Sequence, residues 1–289
     1  MHRSVLIEPA LEYLAIRPDG IYVDATFGAG GHSRAILDRL GAGRLIAIDA
    51  DPHAVALSEH IADPRFCFVR ANFRELDGVL TRCEVDAVDG VLFDLGVSSM
   101  QLDDPQRGFS LVKPAALDMR MDPHAGRSAY EILATATEAE LADIFFQYGE
   151  ERSARRIARA IVLRRANGVL PDTTAEFAQL VAGVVQRAGR RERIHPATRV
   201  FQALRIAAND ELDALRDGLQ SAIAHLSTAG RVVAISFHSL EDRIVKRTFR
   251  DDPRVDALTK RPIRPNEHEV AENRRARSAK LRAAQRRAS

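Results

Sequence analysis

The sequence predicts an α/β protein in which a parallel, Rossmann-like sheet is interrupted by an inserted helical domain. Three observations carry this. Over the first hundred residues, nearly continuous apolar, β-rich runs alternate with helix-like segments, the pattern of a parallel sheet covered on both faces. From about residue 105 to 195 only helical periodicity is left. The strand pattern returns at Arg231-Val232-Val233-Ala234-Ile235-Ser236-Phe237. The expected division is a discontinuous α/β domain of residues 1–104 plus 197–289 and a helical insert of 105–196.

The elements follow in order. Pro9 to Leu14 reads as a short helix, and Ile21 to Phe27 as a strand after the turn Pro18-Asp19-Gly20. A glycine cluster leads into an amphipathic stretch from Ser33 to Leu40, closed by Gly41. Arg44 to Asp49 is a second strand, Pro52 to Ile61 a helix and Phe66 to Val69 a third strand. A fourth strand starts at Ala87 and ends at Asp94. In the insert, Glu138–Tyr148, Ala154–Ala166 and Thr174–Arg187 have helical spacing, and one long helix is expected from about Val200 to Leu226. Ser278 to Arg286 fits a last strand as well as a helix, because Ala279, Leu281 and Ala283 alternate.

Composition narrows the function classes. With 289 residues, 46% of them hydrophobic, the chain can bury a core without disulfides or a structural metal. No apolar run approaches the ~18 residues of a membrane span, and Met1 to Pro9 lacks the apolar core of a signal peptide. Two cysteines, Cys67 and Cys83, have no metal-ligand spacing, so a reducing, cytoplasmic compartment is expected. The net charge of +2 conceals segregation. Arg254 to Ser289 carries 11 Lys and Arg against 4 acids, and Arg152 to Arg205 carries 12 Arg against 3 acids. Such clusters are either solvated helix faces or the footprint of a nucleic-acid partner.

The segment Asp24-Ala25-Thr26-Phe27-Gly28-Ala29-Gly30-Gly31-His32-Ser33 joins a strand to a helix. Glycines there take positive φ and let a backbone approach a ligand. A P-loop would need a Lys, and His32-Ser33 follows Gly31 instead. A dinucleotide fingerprint of an NAD-type oxidoreductase would need glycine at the sixth position, which is Ser33. An S-adenosylmethionine site fits better: Asp24 precedes the glycines, and Asp49 ends the second strand, where a carboxylate accepts both ribose hydroxyls. A plain tight turn with Asp49 as a capping acid stays open as the bland reading.

Asp94 stands at the carboxyl end of the fourth strand, the side on which open α/β sheets bind ligands. It is a candidate to orient a substrate amine or to face the cofactor. Phe73, just past the third strand, is a candidate to pack on an adenine ring, and a core role is the alternative. His32, His195, His225 and His238 are scattered without metal-binding spacing, so no metal is expected. Ser236-Phe237-His238-Ser239 is not a nucleophile elbow. His238 is kept beside Asp94 as a catalytic candidate only for its place at a strand's end.

The blocks Arg17-Pro18-Asp19-Gly20, Phe27 to Ser33, Leu95-Gly96-Val97-Ser98-Ser99, Gln101-Leu102-Asp103 and Arg107-Gly108-Phe109-Ser110 resemble the bacterial 16S rRNA cytosine-N4 methyltransferase family (RsmH, also called MraW). So do Leu117 to Asp122, Tyr148 to Arg152, His195 to Arg199, Phe201 to Ile206, Ser236 to Arg243 and Arg275 to Ser278. Together they span nearly the whole chain in one order. The resemblance implies a class I S-adenosylmethionine-dependent methyltransferase acting on a decoding-region cytidine of 16S rRNA in the small ribosomal subunit. It places cofactor contacts on Gly30, Gly31, His32, Asp49, Phe73, Asp94 and Gln101. Departures from the family pattern are Ala29, Met100 and Arg274, and a short segment between Asp251 and Glu269. Asp94-Leu95-Gly96-Val97 stands where other amino-methyltransferases carry Asp/Asn-Pro-Pro-Tyr/Phe, so no base is assigned. Arg152, Arg155, Arg156 and Arg159, at spacing three to four, are expected on one helix face as an rRNA clamp. A non-catalytic RNA-binding assembly factor that retains the cofactor pocket is the competing class.

Overall fold

A computed structural model describes residues 4–111, 114–187 and 195–288. The chain opens with α1 (Ile7–Leu14), β1 (Ile21–Asp24), α2 (Gly31–Leu37), β2 (Arg44–Asp49), α3 (Pro52–Ser58), β3 (Phe66–Arg70), α4 (Leu76–Arg82) and β4 (Val88–Asp94). Six helices follow: α5 (Ser99–Asp103), α6 (Ala129–Thr135), α7 (Glu138–Gln147), α8 (Ala154–Ala166), α9 (Thr174–Arg187) and α10 (Thr198–Asn209). The chain closes with α11 (Glu211–His225), β5 (Leu226–Ser236), α12 (Ser239–Asp251), β6 (Val255–Ala257), α13 (Glu267–Glu272) and β7 (Lys280–Arg286). Among the described residues no helix is long and apolar enough to cross a membrane.

Two compact units result, 1–96 with 212–289, and 97–211. The divisions fall at 96/97 and 211/212, where the sequence suggested 104/105 and 196/197. The shift has a packing cause. α10 places Val200, Phe201, Leu204 and Ala208 in the core of the helical unit, with Leu141, Phe145, Ile157, Ile161 and Phe177. The single long helix expected from Val200 to Leu226 is therefore two helices. Asp210 takes a left-handed conformation between them, with φ 49°. The Asn209 amide is drawn out of the helical register: its Nδ2 donates to Met119 O and Arg205 O, and its Oδ1 accepts from Met121 N–H. An Asn-Asp pair is a helix-end signal that the apolar spacing on either side outweighed.

The first unit is one seven-stranded sheet in the order β3-β2-β1-β4-β5-β7-β6. β1 to β5 pair in parallel, and β7 runs antiparallel to both β5 and β6. The sheet is thus mixed rather than wholly parallel, and the segment ending at Arg286 is a strand. Successive residues supply opposite faces. Val23, Ile46, Phe93 and Val232 pack with α4, α11 and α12 residues such as Leu80, Leu219 and Phe249. Tyr22, Leu45, Leu92 and Val233 pack with Leu11, Leu14 and Ile36 of α1 and α2 on the other side. Apolar side chains on both faces are what made the strands legible as continuous runs.

The antiparallel edge is tied down electrostatically. Arg282 of β7, only 7% exposed, donates from Nε to Asp242 Oδ1 of α12 at 2.7 Å, and Lys280 Nζ stands 3.4 Å from Oδ2. Burial works to raise the Asp242 carboxyl, but Arg282 and Lys280 prevail and hold it below the ordinary range. Removing the carboxylate leaves a buried guanidinium uncompensated. Asp242→Ala should cost about 3 to 5 kcal/mol at neutral pH, read as the shift in the chemical denaturation midpoint. A loss under about 1 kcal/mol, the exposed-pair range, would show that this pair does not anchor the edge.

Candidate active site

Parallel strands bring the carboxyl ends of β2, β1 and β4 side by side, because these three are adjacent in the sheet. Each ends in an aspartate: Asp49, Asp24 and Asp94. Their environments differ, and that difference assigns their roles.

Asp24, in the middle, is fully buried. Ser33 Oγ donates to its Oδ2 at 2.6 Å and Thr26 N–H to its Oδ1 at 3.2 Å. Burial raises its pKa, against His32, Ser33 and Thr26. The acid that precedes the glycines therefore braces the loop from inside. Gly28 and Gly30 take φ of 54° and 76°, a region L side chains rarely adopt. A Cβ on Gly31 would strike Ser4, and one on Gly30 would lie 2.8 Å from the Phe27 ring. The protein itself fills the space these two glycines leave.

Asp49 Oδ2 accepts from Gly28 N–H at 2.7 Å and Oδ1 from Asp51 N–H at 2.9 Å. A carboxylate has about four lone-pair positions, so acceptor capacity is left over on each oxygen. Burial lifts its pKa to about 6 against those two bonds, and Asp51 and Asp24 add to the rise. Asp51, not Asp49, is the helix cap: it is the N-cap of α3 and accepts from His53 N–H.

Asp94 is held at its backbone, where its N–H donates to Thr26 Oγ1 at 2.6 Å. Its Oδ2 stands 3.5 Å from His32 Nδ1. Its Oδ1 is buried with no hydrogen-bond partner among the described residues. Burial lifts the Asp94 pKa to about 6, opposed by His32 and reinforced by Asp24 and Glu241. His32 is itself buried, and its Nε2 lies 3.1 Å from Val5 O. Its Nδ1 is the atom turned to Asp94.

Phe73 begins a 3-10 turn after β3, capped by Asn72 and Glu75. It packs edge-on against Phe93 at 5.7 Å between centroids and stays partly exposed, so it belongs to the core's margin. His238 is the N-cap of α12, where its Nδ1 accepts from Glu241 N–H at 3.4 Å. Glu241 in turn accepts from Phe237 N–H at 2.8 Å. The two residues form a capping box at the start of α12, and His238 Nε2 is buried without a hydrogen-bond partner among the described residues. The role of Thr26 is not readable from the motif: its hydroxyl accepts from the Asp94 N–H, beside the pairing of Asp94 with Ile235 of β5.

The helical unit holds the remaining candidates. Gln101 is buried in α5 and completes a capping box with Ser98: its Oε1 accepts from Ser98 N–H at 2.9 Å. Arg155, Arg156 and Arg159 are exposed on α8. Arg152 is exposed in the turn before it, since Ser153 is the N-cap, so only three of the four expected arginines share the helix. Arg165 is spent on structure, donating to Leu133 O and Ala136 O at the end of α6. The part of the basic segment between 188 and 194 lies outside the described residues, as do Met1 to Arg3 and Ser289.

The family model described as "MraW methylase family" matches residues 1–287. The chain belongs to the MraW methylase family. Family membership makes it an S-adenosylmethionine-dependent methyltransferase. It is 52% identical to the "Ribosomal RNA small subunit methyltransferase H" of Azoarcus sp. (strain BH72), covering 99% of this chain and 96% of that one. It is 51% identical to the protein of the same name from Burkholderia mallei (strain SAVP1) and 47% to that from Nitrosospira multiformis, each covering 99% of this chain and 97% of the other. The acceptors present fit the methyl donor: the spare lone pairs on Asp49 suit two hydroxyls.

An ionised Asp94 costs the fold free energy that a protonated one does not. Its contribution to stability without ligand falls as pH rises from about 4, the unfolded value, through about 6, and stays low above that. Asp94→Asn should therefore melt a few degrees above the parent at pH 7.5, and no higher at about pH 4. Equal melting temperatures at both pH values would contradict the assignment.

Proposed function

We propose that this protein transfers a methyl group from S-adenosylmethionine to the exocyclic N4 amine of a cytidine in the decoding region of 16S rRNA, in the cytoplasm. The observation that carries the substrate is end-to-end relationship at about half identity to proteins named as small-subunit ribosomal RNA methyltransferases. The position on cytosine rests on the ordered motif blocks from Arg17 to Ser278.

In this reading Gly30, Gly31 and His32 line the cofactor with their backbone, and Asp49 accepts the ribose hydroxyls. Phe73 offers a ring edge to the adenine. Gln101 is carried over on the resemblance alone. When bound, the cofactor supplies a methyl on a sulfonium that is already a good leaving group. The protein's task is then mainly orientation, which is worth several kcal/mol when the reacting atoms are held in line. Asp94 Oδ1 accepts a hydrogen bond from an amine proton. This favours pyramidal nitrogen as the N–C bond forms and the S–C bond breaks. One amine proton then leaves to Asp94 or to water. His238 caps α12 through Nδ1, its Nε2 lies 3.1 Å from Glu241 Oε1, and no step is assigned to it. The helical unit takes the rRNA, with Arg152, Arg155, Arg156 and Arg159 on phosphates, and the base is unstacked to reach the methyl.

Purified protein, labelled cofactor and small subunits lacking the modification should give label in one cytidine of 16S rRNA, released as N4-methylcytidine on digestion. Cofactor binding with no label would overturn the enzymatic reading in favour of an assembly factor. Asp49→Ala should weaken cofactor binding roughly 10- to 100-fold, the range for hydrogen bonds to a charged acceptor, as read by calorimetry. Unchanged affinity would remove Asp49 from the ribose.

A further inference from the structure

α7 and α8 form an antiparallel helix hairpin whose inner faces, Leu141 and Phe145 against Ala154, Ile157, Ala158 and Ile161, are buried. Its outer face is unusual in two ways. Phe146, next to the fully buried Phe145, is 62% exposed. α8 carries five arginines, Arg155, Arg156, Arg159, Arg164 and Arg165, and no acid. Arg152, Arg155 and Arg156 have no carboxylate partner among the described residues. Arg159 reaches only Glu138, at 3.8 Å and with both side chains exposed, a pair worth little.

That pair also sets the register of the two helices. With Glu138 opposite Arg159, one turn along α7 brings Ala142 level with Arg155, and the next brings Phe146 level with the N-terminal end of α8, beside the turn that holds Arg152. By helical angle, Phe146 stands about 140° from the centre of its helix's buried stripe and Arg159 about 150° from that of its own. Both turn outward on the side where the helices adjoin. A single exposed apolar residue needs no explanation. An aromatic ring level with a row of uncompensated guanidiniums is the combination that binds single-stranded nucleic acid, through base stacking and phosphate contact.

We propose that the outer face of the α7–α8 hairpin is a stacking platform for single-stranded RNA, one base lying on the Phe146 ring while flanking phosphates meet Arg152, Arg155, Arg156 and Arg159. The proposal rests on the reading of the protein as an rRNA methyltransferase and adds to it an aromatic contact. A protein partner would need acids to match the arginines and would have no requirement for a flat ring. The two kinds of contact have separable signatures. Stacking changes affinity without changing the salt dependence. Each lost phosphate contact lowers the slope of log K against log salt by about 0.7 on a single strand.

The chain contains no tryptophan, so Phe146→Trp introduces a unique fluorophore at the platform. The test uses the full chain with a fluorescein-labelled oligoribonucleotide of about 12 nucleotides and a matched strand bearing abasic sites. The base-bearing strand should quench the Phe146→Trp emission, and the abasic strand should not. Phe146→Ala should bind the base-bearing strand roughly 5- to 100-fold more weakly with an unchanged salt slope and an unchanged melting curve. Arg155→Gln with Arg156→Gln should flatten the slope. If the parent binds RNA and methylates small subunits while Phe146→Ala binds as tightly, or both strands quench alike, the platform is overturned and the substrate reading stands. If the parent binds neither strand nor small subunits, the substrate reading fails and the platform falls with it.

Discussion

The site depends on one constraint: three carboxylates share one edge of a parallel sheet. β2, β1 and β4 are neighbours running the same way, so Asp49, Asp24 and Asp94 are brought together by topology. Like charges in a partly dry site raise one another's pKa. The fold tolerates this by giving them unequal partners. Asp24 takes a hydroxyl and a backbone N–H and is sealed in. Asp49 takes two backbone N–H groups. Asp94 is left with an oxygen that nothing nearby satisfies. Burial raises the pKa of all three, and Asp94, with one oxygen unpartnered among the described residues, keeps capacity for a polar ligand.

The helical unit is built by different means. Ser128 with Glu131, and Thr137 with Glu140, close capping boxes that start α6 and α7. Arg165 ends α6 by binding its last carbonyls. Local hydrogen bonding fixes where these helices begin and stop, and the apolar stripe from Leu141 to Phe201 fixes how they pack. The arginines outside those duties are left to solvent. Arg155, Arg156 and Arg159 of α8 and Arg152 just before it are exposed, which makes part of the charge separation seen in composition a property of a surface.

Much of this was legible beforehand, for physical reasons that also explain the failures. β2 as Arg44–Asp49, α8 at both ends and α9 at its start match the expected limits because apolar periodicity and termini coincide there. β6, three residues long, offers too little period to detect. The break at Asp210 was hidden because good helical spacing continues on both sides of it. Asp49 and Asp94 end their strands as the apolar runs predicted. The sealed role of Asp24 is not readable in those runs, since it depends on Ser33 turning back nine residues to donate. Periodicity reports which face a residue occupies. It is silent on which polar side chains the backbone will consume.

That distinction separates the candidates from one another. His238, Gln101 and Arg165 have the residue types expected of a site, yet each spends at least one polar atom on a helix end. Asp94 is held by its backbone N–H, which leaves its carboxylate uncommitted on one oxygen. A group whose position is fixed by bonds it does not use in binding is preorganised, and its alignment is already in place when a ligand arrives. Thr26 provides this for Asp94, and Gly28 together with Asp51 does so for Asp49. Methyl transfer from a good leaving group needs little beyond alignment. A site made of braced acceptors, without a dedicated base, is sufficient for that reaction.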